Sequence, residues 1–144
     1  MEEMLHISLM DGQARALLCE STQMVQRMAD IHRTTPVCAA ALGRLMTATA
    51  MMGERESVTV TIKGNGPMGT LVAVANHGTV KAYADNPRVE LPLREDGKLD
   101  VGRAVGHQGR MSVVKDLGLR EPYIGQCELV SGELAIDFAN YFTT

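Results

Sequence analysis

The chain has 144 residues, 45% hydrophobic and 22% charged, and its 14 basic and 17 acidic side chains give a net charge of −3. One domain of that length buries roughly two thirds of its unfolded surface and folds without staples. Disorder, collagen and a disulfide scaffold are excluded, and the acidic balance argues against a dedicated nucleic-acid binder.

Met1 is followed by Glu2 and Glu3, so no basic secretory n-region opens the chain. No apolar run approaches the ~18 residues of a membrane span. Met4 to Met10 alternates loosely as a strand, Asp11-Gly12 suits a two-residue hairpin turn, and Gln13 to Cys19 is the return strand. Ser21 or Thr22 then caps a helix whose apolar stripe is Met24, Val25, Met28 and Ile31. Thr35 caps a second helix with Pro36 at its first position. Val37, Ala41, Leu42, Leu45, Met46 and Met52 form its apolar side, the Ala-rich remainder predicts deep burial, and Gly53 stops it.

Val58, Val60 and Ile62 alternate with polar residues, as a half-buried strand does. Gly64-Asn65-Gly66-Pro67 is a turn, Met68 to Asn76 a strand, His77-Gly78 a turn and Thr79 to Ala84 a third strand. Arg88 to Leu93 extends along a sheet edge, because Pro92 lacks a ladder donor. Asp96-Gly97 turns, and Leu99 to Val105 is ambiguous, with room for a short helical turn. Met111 to Lys115 and Tyr123 to Leu129 are strands. Ser131 caps a last helix with the stripe Leu134, Ala135, Phe138, Ala139 and Phe142, while Glu133 and Asp137 face water. Helices and hairpin-linked strands in separate blocks predict an α+β fold of mostly antiparallel sheet, with one buried Ala-rich helix.

Few residues point to chemistry. Gly64-x-Gly66-x-x-Gly69 with Asp85 matches a dinucleotide fingerprint, but Thr70 to Asn76 is β-branched where that fingerprint needs a helix. A hairpin turn explains the glycines better, and the nucleotide-binding module stays as the alternative. His6, His32, His77 and His107 have no ligand-spaced neighbours, so no metal site is expected within the chain. Three lone thiols, Cys19, Cys38 and Cys127, form no disulfide framework and suit a reducing cytoplasm. Ser131 lies in no nucleophile elbow, and Asp116, Glu121, Glu133 and Asp137 show no spacing that joins two in one site. No catalytic, cofactor-binding or metal-binding residue is assigned, and no enzyme is expected. Ten Met with Met24, Met28, Met46, Met51 and Met52 on helices allow plain core filling or an adaptable apolar surface for varied partners.

Several blocks in order then resemble one family. They are Thr35 to Leu45 (TPVCAAALGRL), Lys63 to Gly69 (KGNGPMG), Asn86 to Val89 (NPRV) and Gly97 to Val101 (GKLDV). Val114 to Tyr123 (VKDLGLREPY), Val130 to Glu133 (VSGE) and Tyr141-Phe142 complete the run. Together they resemble the thirty-three-kilodalton heat-shock protein family, the redox-regulated holdase chaperones of bacteria. The resemblance implies an ATP-independent chaperone domain, working as a homodimer, that binds unfolding client proteins under oxidative or heat stress. It also implies that the 144 residues are an incomplete N-terminal client-binding and dimerising domain. The family's C-terminal module carries C-x-C and C-x-x-C, binds zinc when reduced and forms disulfides when oxidised. None of the three cysteines here lies in those motifs, so zinc is expected only in that missing module. The junction Gly53 to Ser57 is shorter than the family's usual connection. A purely structural oligomerisation domain, with every Met in the core, is the remaining alternative.

Overall fold

The computed structural model describes residues 3–116, 118 and 121–143. Within the VKDLGLREPY block, Leu117, Leu119 and Arg120 lie outside the described residues, as do Met1, Glu2 and Thr144. Among the described residues the order is β1 (Met4–Leu9), β2 (Ala14–Cys19), α1 (Thr22–His32), α2 (Pro36–Met52), β3 (Ser57–Gly64), β4 (Thr70–Asn76), β5 (Thr79–Ala84), α3 (Val101–Val105), β6 (Gly109–Asp116), β7 (Tyr123–Glu128) and α4 (Ala135–Thr143). Two antiparallel sheets result: a separate β1–β2 hairpin and a five-stranded sheet ordered β5-β4-β3-β6-β7. The expected α+β class is therefore the observed one.

The alternating β3 pattern places it at the centre of the larger sheet. Val58, Val60 and Ile62 pair with Ala75, Ala73 and Leu71 of β4 and with Lys115, Val113 and Met111 of β6. This row faces α2, where Cys38, Ala41, Leu42 and Leu45 are wholly buried. Burial of a Leu- or Met-sized side chain stabilises by about 1.5–3 kcal/mol, so the α2–sheet contact is the main apolar store of the fold. The Ala-rich helix is deeply buried, as expected, because small side chains let it approach the sheet. The β4–β5 turn is also as expected, since His77 and Gly78 take the positive φ values (50° and 91°) of a two-residue hairpin.

Several expectations are corrected. The β1–β2 turn holds four residues rather than two, because Leu9 pairs with Ala14 and Met10 joins Asp11 and Gly12 at positive φ. The capping oxygen of α1 belongs to Glu20, which accepts from the Thr22 amide at 3.0 Å, while the Ser21 hydroxyl meets Thr47 Oγ1 at 2.8 Å. Ile31 is 68% exposed, so the apolar stripe of α1 ends at Met28. Thr35 precedes α2 but makes no side-chain cap; its hydroxyl donates to the Val89 carbonyl and ties the helix start to the loop after β5. Arg88 to Leu93 forms no edge strand; that stretch is irregular, held by Val89, which is buried against the core. The ambiguous Leu99–Val105 segment becomes α3, capped by Asp100 accepting from the Arg103 amide.

The Gly53–Ser57 junction is a tight loop. Gly53 offers its carbonyl to the Gly78 amide at 3.3 Å, and a side chain at Gly53 would meet the Ala75 Cβ at 2.5 Å. The methionines are mainly core. Met28, Met46, Met68 and Met111 are buried, and Met24 and Met52 pack against them. Their unbranched chains fill the irregular space where a helix crosses a twisted sheet. The exposed apolar surface comes instead mostly from Leu, Ile, Val and aromatic residues.

Candidate functional site

The Gly64–Gly69 segment is built to receive α3, not a phosphate. The Gly66 amide donates to the Val105 carbonyl at 3.0 Å and the Met68 amide to the Ala104 carbonyl at 3.1 Å. Those are the N–H groups a phosphate cradle would need free. A Cβ on Gly66 would lie 2.4 Å from the Ala104 oxygen, and one on Gly64 would lie 2.1 Å from the Val105 oxygen. Asp85 does not reach toward a ribose; its carboxylate accepts from the Thr70 amide at 2.9 Å and starts β4. A strand follows the glycines, so the nucleotide-binding alternative loses its one support.

The carboxylates near the C-terminus reverse the sequence expectation. Asp137, placed in solvent from its sequence position, is wholly buried. Its Oδ1 accepts from the amides of Val130 (2.7 Å) and Ser131 (3.0 Å). Its Oδ2 accepts from the Leu134 amide (3.0 Å) and the Ser131 hydroxyl (3.3 Å). So Asp137 reaches back from the first turn of α4 to hold the loop that leads into it, and the helix begins at Ala135 rather than beside Ser131. The buried stripe of α4 is accordingly Leu134, Asp137, Phe138 and Tyr141 at helical spacing, while Ala135, Ala139 and Phe142 are exposed. The signal for this was present in the sequence: an apolar helix face with one acidic residue at its first turn, where N–H groups lack partners.

Glu133 is half-buried and joins three elements. Its Oε1 accepts from the Gly102 amide of α3 at 3.2 Å and faces Arg94 at 3.6 Å, and its Oε2 faces Arg44 of α2 at 3.3 Å. His107 adds a bond between Nδ1 and the Ser131 carbonyl at 2.6 Å. Gly132, at φ +77°, permits this docking, since a Cβ there would lie 2.4 Å from the Gly106 oxygen. The VSGE block is thus an anchor between α2, α3 and α4. Asp116 and Glu121 are exposed, and neither joins that anchor.

The remaining candidates are scattered. His6 of β1 contacts Glu54 of the loop between α2 and β3 at 2.6 Å, while His32 ends α1 and His77 forms a turn. Cys19, Cys38 and Cys127 lie on β2, α2 and β7, and among the described residues no three His, Cys, Asp or Glu gather as a metal site. Burial pushes the Cys127 thiol up, and the neighbouring Asp137 charge adds to it, which makes this cysteine a poor thiolate. Burial first, then Tyr123, pushes the Tyr141 hydroxyl up to about 12. An acid raised in the folded state keeps full stability below its ordinary value near 10 and loses it as pH climbs toward the folded value. Tyr141→Phe is therefore expected to flatten the loss of stability between about pH 10 and 12 by on the order of 1–2 kcal/mol, as read by urea titrations across that range. A slope equal to that of the wild type would exclude Tyr141 as its source.

Two features suit contact with other molecules. A groove of about 620 Å³ runs between α1, α2 and α4, lined by Val25, Ala40, Gly43, Thr47, Met51 and Phe138 among others. The β1–β2 hairpin stands apart from the main sheet and exposes Leu5, Leu9, Met10 and Leu18. Among the described residues, no helix is long and apolar enough to cross a membrane.

Comparison with known proteins agrees with this arrangement. A 33 kDa chaperonin of Thermoanaerobacter sp. is 53% identical over 135 residues, covering 90% of this chain and 46% of the relative. The 33 kDa chaperonin of Bacillus subtilis is 51% identical over 139 residues, covering 93% of this chain and 48% of its own. The crystal structure of the 33 kDa chaperonin (HSP33) of Thermotoga maritima superposes with a TM-score of 0.91 at 38% identity, over 98% of this chain and 50% of that one. The chain spans about half the length of these relatives. The sequence profile of the Hsp33 protein matches residues 2–144, and the chain belongs to that family.

Proposed function

We propose that this chain is a client-binding portion of an ATP-independent holdase chaperone, which captures unfolding proteins and performs no catalysis. The observation that carries the reading is the family match over residues 2–144, together with relatives above 50% identity that are named chaperonins. The exposed apolar residues of the hairpin are in keeping with it, since contiguous exposed apolar surface marks protein contact. As part of the same proposal, a cysteine–zinc module outside these residues gates binding under oxidative stress, and the chain works as a homodimer in the cytoplasm. Among the described residues the three cysteines are dispersed over β2, α2 and β7, and Cys38 is wholly buried, so zinc is proposed only for that module.

The test is light scattering from a heat-unfolding client enzyme, without ATP, under reducing and oxidising conditions. Near-stoichiometric chain is expected to suppress aggregation in both, because no switch cysteine is among these residues. Failure in both would overturn the proposal. Light scattering after size exclusion would report the dimer.

A further inference from the structure

We propose that α4 has two starting positions: the observed one at Ala135, and a second after Ser131, about one turn longer. In the second, the Asp137 clamp opens and the Ser131–Leu134 loop leaves α2 and α3. This inference goes beyond the chaperone reading and does not depend on it. In the observed form the Phe138 amide donates to the Leu134 carbonyl at 2.8 Å, so Leu134 stands where the helix needs its cap. Leucine is among the poorest residues for that place, because its side chain offers no acceptor to the free amides. Leu134 is also at φ +63°, in the left-handed region that disfavours a leucine by roughly five- to thirtyfold in population. The other described non-glycine residues at positive φ, Met10, Asp11, Arg33 and His77, are exposed in turns or at a helix end, whereas Leu134 is wholly buried.

A better start lies earlier in the chain. Ser131 is a favoured capping residue, and its hydroxyl already accepts from the Glu133 amide at 3.0 Å, the bond a cap makes to the second helical residue. Glu133 then falls in the first turn, where its charge suits the free N–H groups. Between that cap and Ala135, Gly132 (φ +77°) and Leu134 are the residues at positive φ. The helix runs back to Ser131 once these two turn to right-handed values.

Tertiary contacts hold the shorter form. The Leu134 side chain is in the core, its amide donates to Asp137 Oδ2 at 3.0 Å, and Glu133 holds the Gly102 amide and Arg44. Gly132 rests on α3, where a Cβ would lie 2.4 Å from the Gly106 oxygen and 2.8 Å from the Gly102 oxygen. These contacts and the longer helix exclude one another. In a continuous helix Asp137 stands about 9 Å along the axis from Ser131, so its carboxylate no longer reaches the Val130 and Ser131 amides. Local preference and tertiary packing therefore favour different starts for the same segment, the condition for a two-state element. A buried residue held in a sparsely populated conformation is the mark such elements carry.

The test is amide hydrogen exchange by NMR on the intact chain, together with a Gly132→Ala variant. In the wild type the Val130 and Ser131 amides are expected to share one opening constant, about tenfold or more above that of the Phe138 amide, because both helix starts keep the bond from Phe138 to Leu134. Equal constants for Phe138 and Val130 would mean that α4 unravels rather than lengthens, and would overturn the proposal. So would opening of Val130 and Ser131 only together with Val60 of the central strand, which reports unfolding of the whole domain. Gly132→Ala works against the shorter form through its clash and its positive φ, and it suits the longer helix. Its Cα chemical shifts at residues 132–134 are expected to turn helical while the β3 amides stay protected. Non-helical shifts in a folded variant would refute the second start. If the variant does not fold, the wild-type exchange pattern decides by itself.

Discussion

Asp137→Ala is expected to lower the free energy of unfolding by about 3–5 kcal/mol, since each buried donor left without a partner costs about 1–3 kcal/mol. Four donors lose their acceptor at once: the amides of Val130, Ser131 and Leu134 and the Ser131 hydroxyl. The Asp137 carboxylate itself is wholly buried and its bond to the Leu134 amide is buried too, while the Val130 and Ser131 donors are part-buried and can recover some of their loss from water. The measurement is the urea midpoint at constant m-value, which separates lost stability from a changed unfolded state. Asp137→Asn keeps the shape and one acceptor oxygen, and its loss should be intermediate. A loss below about 1 kcal/mol for the Ala variant would mean that this loop is not held by the carboxylate, because ordinary surface changes fall within about 0.5 kcal/mol.

Gly66→Ala is expected to cost about 3 kcal/mol or more, the range of severe overpacking. The new Cβ would lie 2.4 Å from the Ala104 oxygen, 2.5 Å from the Val105 carbonyl carbon and 2.6 Å from the Gly106 amide. All three are backbone atoms, so no side chain can swing aside, and α3 must separate from the turn. Gly97→Ala is the matched control. Gly97 sits at φ +81° with nothing within 4 Å of a modest side chain, so only the left-handed backbone strain of about 1–2 kcal/mol applies. Thermal melts of the two variants should therefore separate clearly. Equal losses would mean that the Gly66 turn does not bear on α3.

Much of the fold was legible in local pattern. The alternation of Val58, Val60 and Ile62 marked a strand, and in the structure its apolar row meets two neighbouring strands and α2. Pro36 and Gly53 marked the ends of α2, and its Ala content marked its burial. These signals are short-range: a strand period, a missing N–H and a small side chain act within a few residues. Where expectation and structure part, a distant group decides. Ser21 and Thr35 are both capping residue types, yet the Ser21 hydroxyl meets Thr47 on another helix and the Thr35 hydroxyl donates to the Val89 carbonyl. The Gly64–Gly69 segment is the turn its glycines predict, while the alternative of a ligand cradle is closed by α3, some forty residues later, which takes its amides.

The same division applies to function. By itself, the sequence determined the α+β class, the principal helices and strands, and the run of motifs that pointed to the family. It did so because hydrophobic period, turn chemistry and motif order are properties of neighbouring residues. Only the tertiary structure decided that Asp137 is buried, that most described Met side chains fill or line the core, and that Leu5, Leu9 and Leu18 of the hairpin are exposed. An alternating strand reads the same whichever side faces the core. Which face meets solvent depends on what packs beside it, and the β1–β2 hairpin makes its own two-stranded sheet, apart from the other five strands.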